Sequence, residues 1–365
     1  MGGWEGIVSA SSVVAEPGPK ERAVRITVLG VPDSAGAYCV RVERAPAALR
    51  AAGLVSALTE AGNDVRDLGD LSFRRWTPDR ERPYAQNLDD EVDALRELAA
   101  AASAALPDRE RLLVLGGTCT VAIGLCAALV QVGEIPRIVY VDRHLDLNTP
   151  RSTTDGSLSW MGMAHALNLE GCAVEIASVG GPVPLLEPPD LAYLGVDTDV
   201  ATEWERAQVA ALSLTVVPQS ELVDDPRRAA EDARAALRPG PFFIHLDVDV
   251  LDFIDAPIAE NVEGRNTGPS LAQIGPALSR LWHEPDCWGM SIGQVHPEHA
   301  SSDPSALPRF VDVLRYMASS SYSFAACALD RQASLRLGHR EERLIDKAAN
   351  ARHTVFNRAI GGCHE

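Results

Sequence analysis

Two short clusters of acids hold the residues best suited to chemistry. They are Asp142, His144 and Asp146 in the first cluster, and Asp247, Asp249 and Asp252 in the second. Each cluster follows an apolar run that predicts a buried strand, at residues 137–141 and 241–246. Carboxylates in such a place repel one another and lose their solvation unless a cation compensates them. One or two divalent cations would do so, and a set of oxygens with one imidazole suits manganese.

A plainer interpretation stays open for either cluster alone, because acids at strand ends are often simply solvated. Two clusters, each at the end of an apolar run, favour a dinuclear metal site. The pattern therefore predicts metal-assisted chemistry.

The elements that must position these clusters follow from an alternation of short apolar runs and longer alanine-rich periodic segments. Strands are predicted at residues 24–29, 112–115, 138–141, 191–196, 214–217, 242–246, 288–292 and 324–329. Helices are predicted at residues 46–62, 121–130, 225–237, 270–282 and 306–318. This order requires right-handed βαβ crossovers and a mainly parallel sheet with helices on both faces, an α/β fold. Ligands bind at the carboxyl ends of strands in such sheets, where both clusters lie.

The chain organisation is predicted to be simple. Residues 1–22 are expected to be a flexible N-terminal extension, and residues 23–365 a single domain. Two polar loops, at residues 74–87 and 148–158, are long enough to be functional, and the second directly follows the first acidic cluster.

Composition excludes several classes of partner. The formal net charge of −18 argues against nucleic acid and against anionic membrane surfaces. No stretch is apolar and long enough to span a bilayer, and the N-terminus lacks the basic region of a signal peptide. Seven scattered cysteines without framework spacing indicate free thiols. We therefore expect a cytoplasmic protein that binds neither nucleic acid nor a membrane surface.

Four motifs carry a resemblance to a known family. DRHLDLNTP at 142–150 is similar to D-A-H-x-D-x-N-T-P, and HLDVDVLD at 245–252 corresponds to S-x-D-V-D-x-x-D. RVERAPAALR at 41–50 and VRDLGDL at 65–71 match an N-terminal segment and a strand with its turn. The chain resembles the ureohydrolases, which include arginase, agmatinase and formiminoglutamase. The resemblance implies a three-layer αβα fold of the arginase/deacetylase type, a binuclear manganese centre and a homo-oligomer of three or six chains. It also implies a small-molecule substrate, a guanidino or amidino compound in which a C–N bond is hydrolysed.

The resemblance also implies roles for the ligands. Asp142 and Asp247 would bridge two ions, with Asp146 on the first ion and His144 and Asp249 on the second. Asp249, or a neighbouring acid such as Asp146, would accept or relay the proton.

Cys119 stands where the family's G-G-D-H-S has a metal-binding histidine. A thiolate there would admit Zn²⁺, Fe²⁺ or Co²⁺ beside Mn²⁺. The alternative is a small buried hydrophobic residue beside an empty first position. A branch of the family that hydrolyses hydroxyarginine looks similar in placing cysteine here.

Two further departures concern the substrate. Ser159 occupies the place of the arginase shuttle histidine, and serine cannot perform that task near neutral pH. His165 is interpreted as a core or surface residue and not as its replacement. Gln294 replaces the glutamate of E-V-N-P, which removes the partner of a guanidinium group but keeps a donor and an acceptor. Together these changes favour a less cationic group, such as a hydroxyguanidine, over plain arginine.

The remaining candidates are less specific. The positions that match substrate-binding residues of arginases are Asn148, Asp155, Ser157 and Asp199, with Gln294 facing the reacting group. His245 is interpreted as a satisfied core histidine and residues 255–261 as a rim loop. The open alternatives to the main hypothesis are an amide or formimino hydrolase on the same metals, and a catalytically silent member acting by binding.

Overall fold

A computed structural model describes residues 24–106, 110–153, 155–262 and 266–319. The predicted N-terminal extension and the predicted strand at 324–329 lie outside these ranges, so the domain boundaries stay a prediction. Within the ranges, no helix combines the length and the apolar character that a bilayer span requires.

Eight strands form one sheet in which every neighbouring pair is parallel. They are β1 (Arg25–Gly30), β2 (Asp64–Asp70), β3 (Arg111–Leu115), β4 (Ile138–Val141), β5 (Leu191–Val196), β6 (Thr215–Pro218), β7 (Phe242–Asp247) and β8 (Cys287–Gly293). Their order across the sheet is β2-β1-β3-β8-β7-β4-β5-β6. The seven strands predicted from apolar runs within the described ranges are all present.

Helices connect the strands and cover the sheet. The described ranges hold α1 (Ala45–Ala51), α2 (Leu54–Glu60), α3 (Leu88–Ala105), α4 (Val121–Gln131), α5 (Gly162–Ala166), α6 (Val174–Ala177), α7 (Glu203–Leu212), α8 (Gln219–Asp224), α9 (Pro226–Ala236), α10 (Leu271–Trp282), α11 (Pro297–Ala300) and α12 (Ala306–Ala318). Capping boxes begin α7 at Thr202 and α10 at Ser270.

Two helical predictions need correction. The single helix predicted at residues 46–62 is broken into α1 and α2 at Gly53, whose φ of 91° is a left-handed conformation that favours glycine. Helix α3 was not predicted, although Leu88, Val92 and Leu95 recur at helical spacing on its buried side.

The layers follow from the two-residue period of the strands. On β4, Val139 and Val141 pack into a core formed with α1, α2, α9, α10 and α12, whereas Ile138 and Tyr140 pack into a core with α3 to α6. A third cluster joins α3 and α4 to β3. Because both faces of the parallel sheet are covered, the predicted three-layer αβα fold is confirmed.

Candidate metal centre

The carboxyl ends of the four central strands, β3, β8, β7 and β4, meet at one edge of the sheet. Cys119 lies in the loop after β3, Asp142 directly follows β4, Asp247 ends β7 and Gln294 directly follows β8. The parallel arrangement therefore gathers residues that are far apart in the sequence.

The loop at residues 116–120 packs tightly against these strand ends. The backbone N–H of Gln294 donates to Gly117 O at 2.7 Å. A Cβ added to Gly117 would lie 1.5 Å from Asp33 O, so only glycine permits this approach. The loop thereby holds the buried Cys119 thiol, which donates to Asp247 Oδ2 at 2.8 Å.

Two groups of potential ligand atoms share Asp142. In the first group, one atom each from Cys119, Asp142 and His245 lie within 4.8 Å of one another. In the second, the same holds for Asp142, His144 and Asp249. His144 Nδ1 lies 3.1 Å from Asp249 Oδ2 and 3.5 Å from Asp142 Oδ1. A carboxylate common to two adjacent groups is suited to bridging two cations.

Asp146 and Asp247 adjoin these groups. Asp146 has a φ of 51°, and its Oδ2 accepts a hydrogen bond from the Tyr140 hydroxyl at 2.5 Å. Asp247 Oδ1 accepts from the backbone N–H of Asp249 at 2.8 Å. Asp252, in contrast, forms a local turn, because its Oδ1 accepts a hydrogen bond from the backbone N–H of Ile254 at 2.8 Å.

Three acids of this edge, Asp142, Asp146 and Asp247, have raised pKa values. Burial, followed by repulsion from Asp249, raises the pKa of Asp142 to about 6. Burial and neighbouring acids likewise raise the pKa values of Asp146 and Asp247. The pKa of the Cys119 thiol is raised by burial and then by Asp247. Together these shifts indicate a buried site whose carboxylates would carry more negative charge than the nearby positive groups balance.

The two histidines of the edge differ in charge. Burial lowers the pKa of His144, but attraction to Asp249 and Asp142 outweighs it, so the pKa is raised well above the ordinary value. Burial lowers the pKa of His245 to about 3, which leaves this ring neutral at physiological pH. The interpretation of His245 as a satisfied core histidine holds for Nδ1, which lies 2.9 Å from Ser291 Oγ, but not for Nε2.

Several buried polar atoms here have no hydrogen-bond partner among the described residues. They are Asp142 Oδ2, Asp249 Oδ1, His245 Nε2 and Gln294 Oε1. Leaving such a group unpaired costs about 1–3 kcal/mol. Carboxylate oxygens and an imidazole nitrogen are also the donor atoms that divalent cations take.

The residues predicted to bind substrate divide into two sets. Asn148 and Ser157 are buried, and Ser157 Oγ lies 2.9 Å from the Oγ of Ser159. Asp155 and Asp199 are exposed. Their roles in binding stay predictions. His165 is buried, with Nδ1 2.6 Å from Met161 O.

Glu260 was not singled out from the sequence, because a single acid in a predicted rim loop has no distinguishing pattern. Its backbone N–H donates to Gln294 O at 2.8 Å, so residues 258–260 pair with 294–296 beside the site. Its buried side chain accepts from the Cys39 thiol at 3.3 Å. Burial raises the pKa of Glu260, and repulsion from Asp249 adds to this.

Comparison with known proteins identifies the family. The model of the Arginase family matches residues 24–315, which is most of the chain. The chain belongs to the arginase family. The resemblance to the ureohydrolases is thereby confirmed, and with it membership of a family of hydrolases that act on C–N bonds.

Individual relatives agree with this arginase-family assignment. The chain is 30% identical to arginase-1 of Rattus norvegicus over 239 residues, which are 64% of this chain and 73% of the relative. Among solved structures, the arginase of Bacillus caldovelox is similar with a TM-score of 0.71 and 24% identity, covering 82% of this chain and 99% of that one. The formimidoylglutamase of Bacillus subtilis gives a TM-score of 0.62 and 18% identity, covering 82% and 88%. At these identities the two structural likenesses show the fold alone.

Proposed function

We propose that this arginase-family chain is a binuclear metal-dependent hydrolase that cleaves the C–N bond of a guanidino-type compound less cationic than arginine. The observation that carries the proposal is the position of Asp142 in both groups of ligand atoms. The clusters on β4 and β7 thus form one two-part site.

The residues present fit a pair of divalent cations. Asp142 Oδ2 and Asp249 Oδ1 are buried oxygens without a partner in the described part of the chain. The raised pKa values of Asp146 and Asp247 also indicate negative charge in need of compensation. The proposed ligands are Cys119, Asp142, His144, Asp146, Asp247 and Asp249.

Manganese is the proposed ion, because four of these six ligands are carboxylates. A variant of the formiminoglutamase of Trypanosoma cruzi, similar in fold with a TM-score of 0.62, is described with Mn²⁺. The sulfur of Cys119 makes Zn²⁺, Fe²⁺ and Co²⁺ competitors at the first position.

The chain supplies the positioning for hydrolysis. Divalent cations, when bound, would supply hydroxide at neutral pH and stabilise negative charge developing on the substrate. Asp249, whose Oδ1 is unpartnered among the described residues, can accept the proton of the attacking water. Asp146, held by Tyr140, is a second acid within the site. Ser159 is buried and hydrogen-bonded to Ser157. Its hydroxyl does not titrate near neutral pH, so Ser159 cannot act as a proton shuttle.

The preference for a less cationic substrate rests on Gln294. Its Oε1 is buried without a partner in the described ranges, so it can accept from a substrate N–H, and its amide nitrogen can donate. Asn148, Asp155, Ser157 and Asp199 are proposed to contact the remainder of the substrate. An assembly of three or six chains and a cytoplasmic location also stay predictions, the first testable by light scattering.

The function is tested on the purified full chain in two steps. First, manganese, zinc, iron and cobalt are counted per chain by plasma mass spectrometry, and about two ions are expected. Second, the metal-loaded protein is incubated with arginine, agmatine, a hydroxyguanidine and a formimino compound, with detection of ammonia and urea. We expect turnover of the hydroxyguanidine above that of arginine. Preference for the formimino compound would replace the proposed substrate class, and two bound ions without any turnover would indicate a binding role.

The substitution Gln294→Glu is expected to raise kcat/KM for guanidinium substrates by about tenfold or more, because a charged hydrogen bond replaces a neutral one. The measurement compares kcat/KM for arginine and for a hydroxyguanidine, which is the less cationic of the two substrates. Gln131→Glu, at the exposed end of α4, adds the same charge away from the site and serves as the control. Unchanged discrimination between the two substrates in Gln294→Glu would show that residue 294 does not set specificity.

A further inference from the structure

His245 is a buried imidazole held rigidly at the edge of the metal centre. It lies on β7, two residues before Asp247, with no exposed surface. Its ring stacks on Tyr140 with 4.7 Å between ring centroids and 27° between the planes. On the other side, Nδ1 lies 2.9 Å from Ser291 Oγ on β8. These contacts leave the ring little freedom to turn.

The free nitrogen of this ring points into the first group of ligand atoms. His245 Nε2 has no hydrogen-bond partner among the described residues, and His245 belongs to the group with Cys119 and Asp142. A Cβ added to Gly293 would lie 3.4 Å from His245 Nε2 and 3.3 Å from Cys119 Sγ. The absence of a side chain at residue 293 therefore keeps the space in front of both donor atoms open.

We propose that His245 Nε2 is the imidazole ligand of the first cation, together with Cys119 and Asp142. Two departures from the family pattern then compensate each other. Cys119 stands where the pattern has a histidine, and His245 stands where S-x-D-V-D has a serine. The imidazole ligand of the first cation then comes from β7, whereas in the family pattern it comes from the loop after β3.

The surroundings of His245 are those of a metal ligand. Ser291 Oγ can accept the proton of Nδ1, which leaves a lone pair on Nε2, as outer hydrogen bonds do for metal-bound histidines. Sulfur, nitrogen and oxygen donors together favour borderline cations such as Co²⁺ and Zn²⁺ at the first position. This inference rests on the proposed function, because it requires that the carboxyl edge of the sheet binds metal. It does not depend on which substrate is hydrolysed.

The test is a titration of the metal-free full chain with Co²⁺, for the native protein and for His245→Ser. The readouts are the ions retained per chain and the near-ultraviolet absorption that arises when a thiolate binds cobalt. We expect His245→Ser to bind the first ion at least about tenfold more weakly and to lose most of the thiolate absorption, while the second ion is kept. His165→Ser is the matched control, since His165 is also buried with an unpartnered Nε2 among the described residues. It is expected to retain both ions.

The outcomes separate the inference from the proposed function. Two ions and unchanged thiolate absorption in His245→Ser would overturn the inference and leave the two-metal hydrolase intact. The expected loss of the first ion, in a protein that hydrolyses none of the substrates tested, would support the inference and overturn the hydrolase. A native chain that binds no ion would overturn both.

A second measurement does not require His245→Ser to fold. In His144→Ala loaded with Cu²⁺, pulsed electron paramagnetic resonance detects coupling to the distant nitrogen of any imidazole that binds the ion. We expect this coupling both in the native protein and in His144→Ala. With His144 removed, His245 would be the remaining imidazole of the two ligand groups. Disappearance of the coupling in His144→Ala would contradict the inference.

Discussion

Replacing Asp142 by asparagine is expected to stabilise the metal-free protein at pH 7 and to destabilise the metal-loaded one. In the folded metal-free chain the pKa of Asp142 rises from 3.8 to about 6, first because of burial and then because of Asp249. A raised folded-state pKa gives stability that is complete below the unfolded value and is lost as pH rises through about 6. By pH 7 the lost stability is on the order of 3 kcal/mol. Asparagine carries no charge and escapes this loss.

The measurement is urea unfolding of native and Asp142→Asn protein, with a chelator and with excess Mn²⁺. With chelator, the variant is expected to be the more stable protein at pH 7, and the difference should shrink as the pH falls and vanish below about pH 3, where Asp142 is protonated in both the folded and the unfolded chain. With Mn²⁺ at pH 7 the order should reverse, because the shared ligand is gone and bound metal no longer stabilises the fold. The same order in both conditions would show that Asp142 does not bind the ion.

The substitution Asp247→Ala is expected to reduce kcat/KM by at least about a thousandfold, because it removes a proposed bridging ligand from a site that depends on bound cations. Asp252→Ala is the matched control: Asp252 lies five residues further along the same motif, but its Oδ1 accepts from the backbone N–H of Ile254. This variant should stay within about threefold of the native rate, as surface changes usually do.

Steady-state kinetics on the best substrate and metal analysis of the same samples would check this prediction. Asp247→Ala should lose metal in parallel with activity. If it keeps two ions and its activity, the role of Asp247 as a bridge is wrong. If Asp252→Ala loses activity equally, Asp252 belongs to the site, and its hydrogen bond to Ile254 is not its main contribution.

Apolar runs made the central strands predictable. Strands β4 and β7 are buried on both faces, so their sequences are almost continuously apolar and stand out from the rest of the chain. Strand β2 lies at the edge of the sheet, and its sequence DVRDLGD is mostly exposed. Without apolar periodicity, only the family resemblance indicated it.

The candidate site was predictable where its residues are close in sequence. Asp142 and His144, like Asp247 and Asp249, are neighbours whose spacing is itself a pattern. The positions of His245 and Glu260 depend instead on which atoms of other strands face them. Only the fold shows that His245 Nε2 is left unpaired and that Glu260 adjoins Gln294.

The strand order has a consequence for how the protein is made. In the sheet, β8 and β7 separate a half formed by β2, β1 and β3 from a half formed by β4, β5 and β6. Both joining strands are synthesised after all six others. During translation, Cys119 and Asp142 therefore belong to two groups of three strands that no paired strand yet joins into one sheet. Among the described strands, β8 is the last to be synthesised and the one that joins the halves, so the ligand group that contains Cys119 can be completed only after β8 has been made, whereas the group of Asp142, His144 and Asp249 needs only β4 and β7.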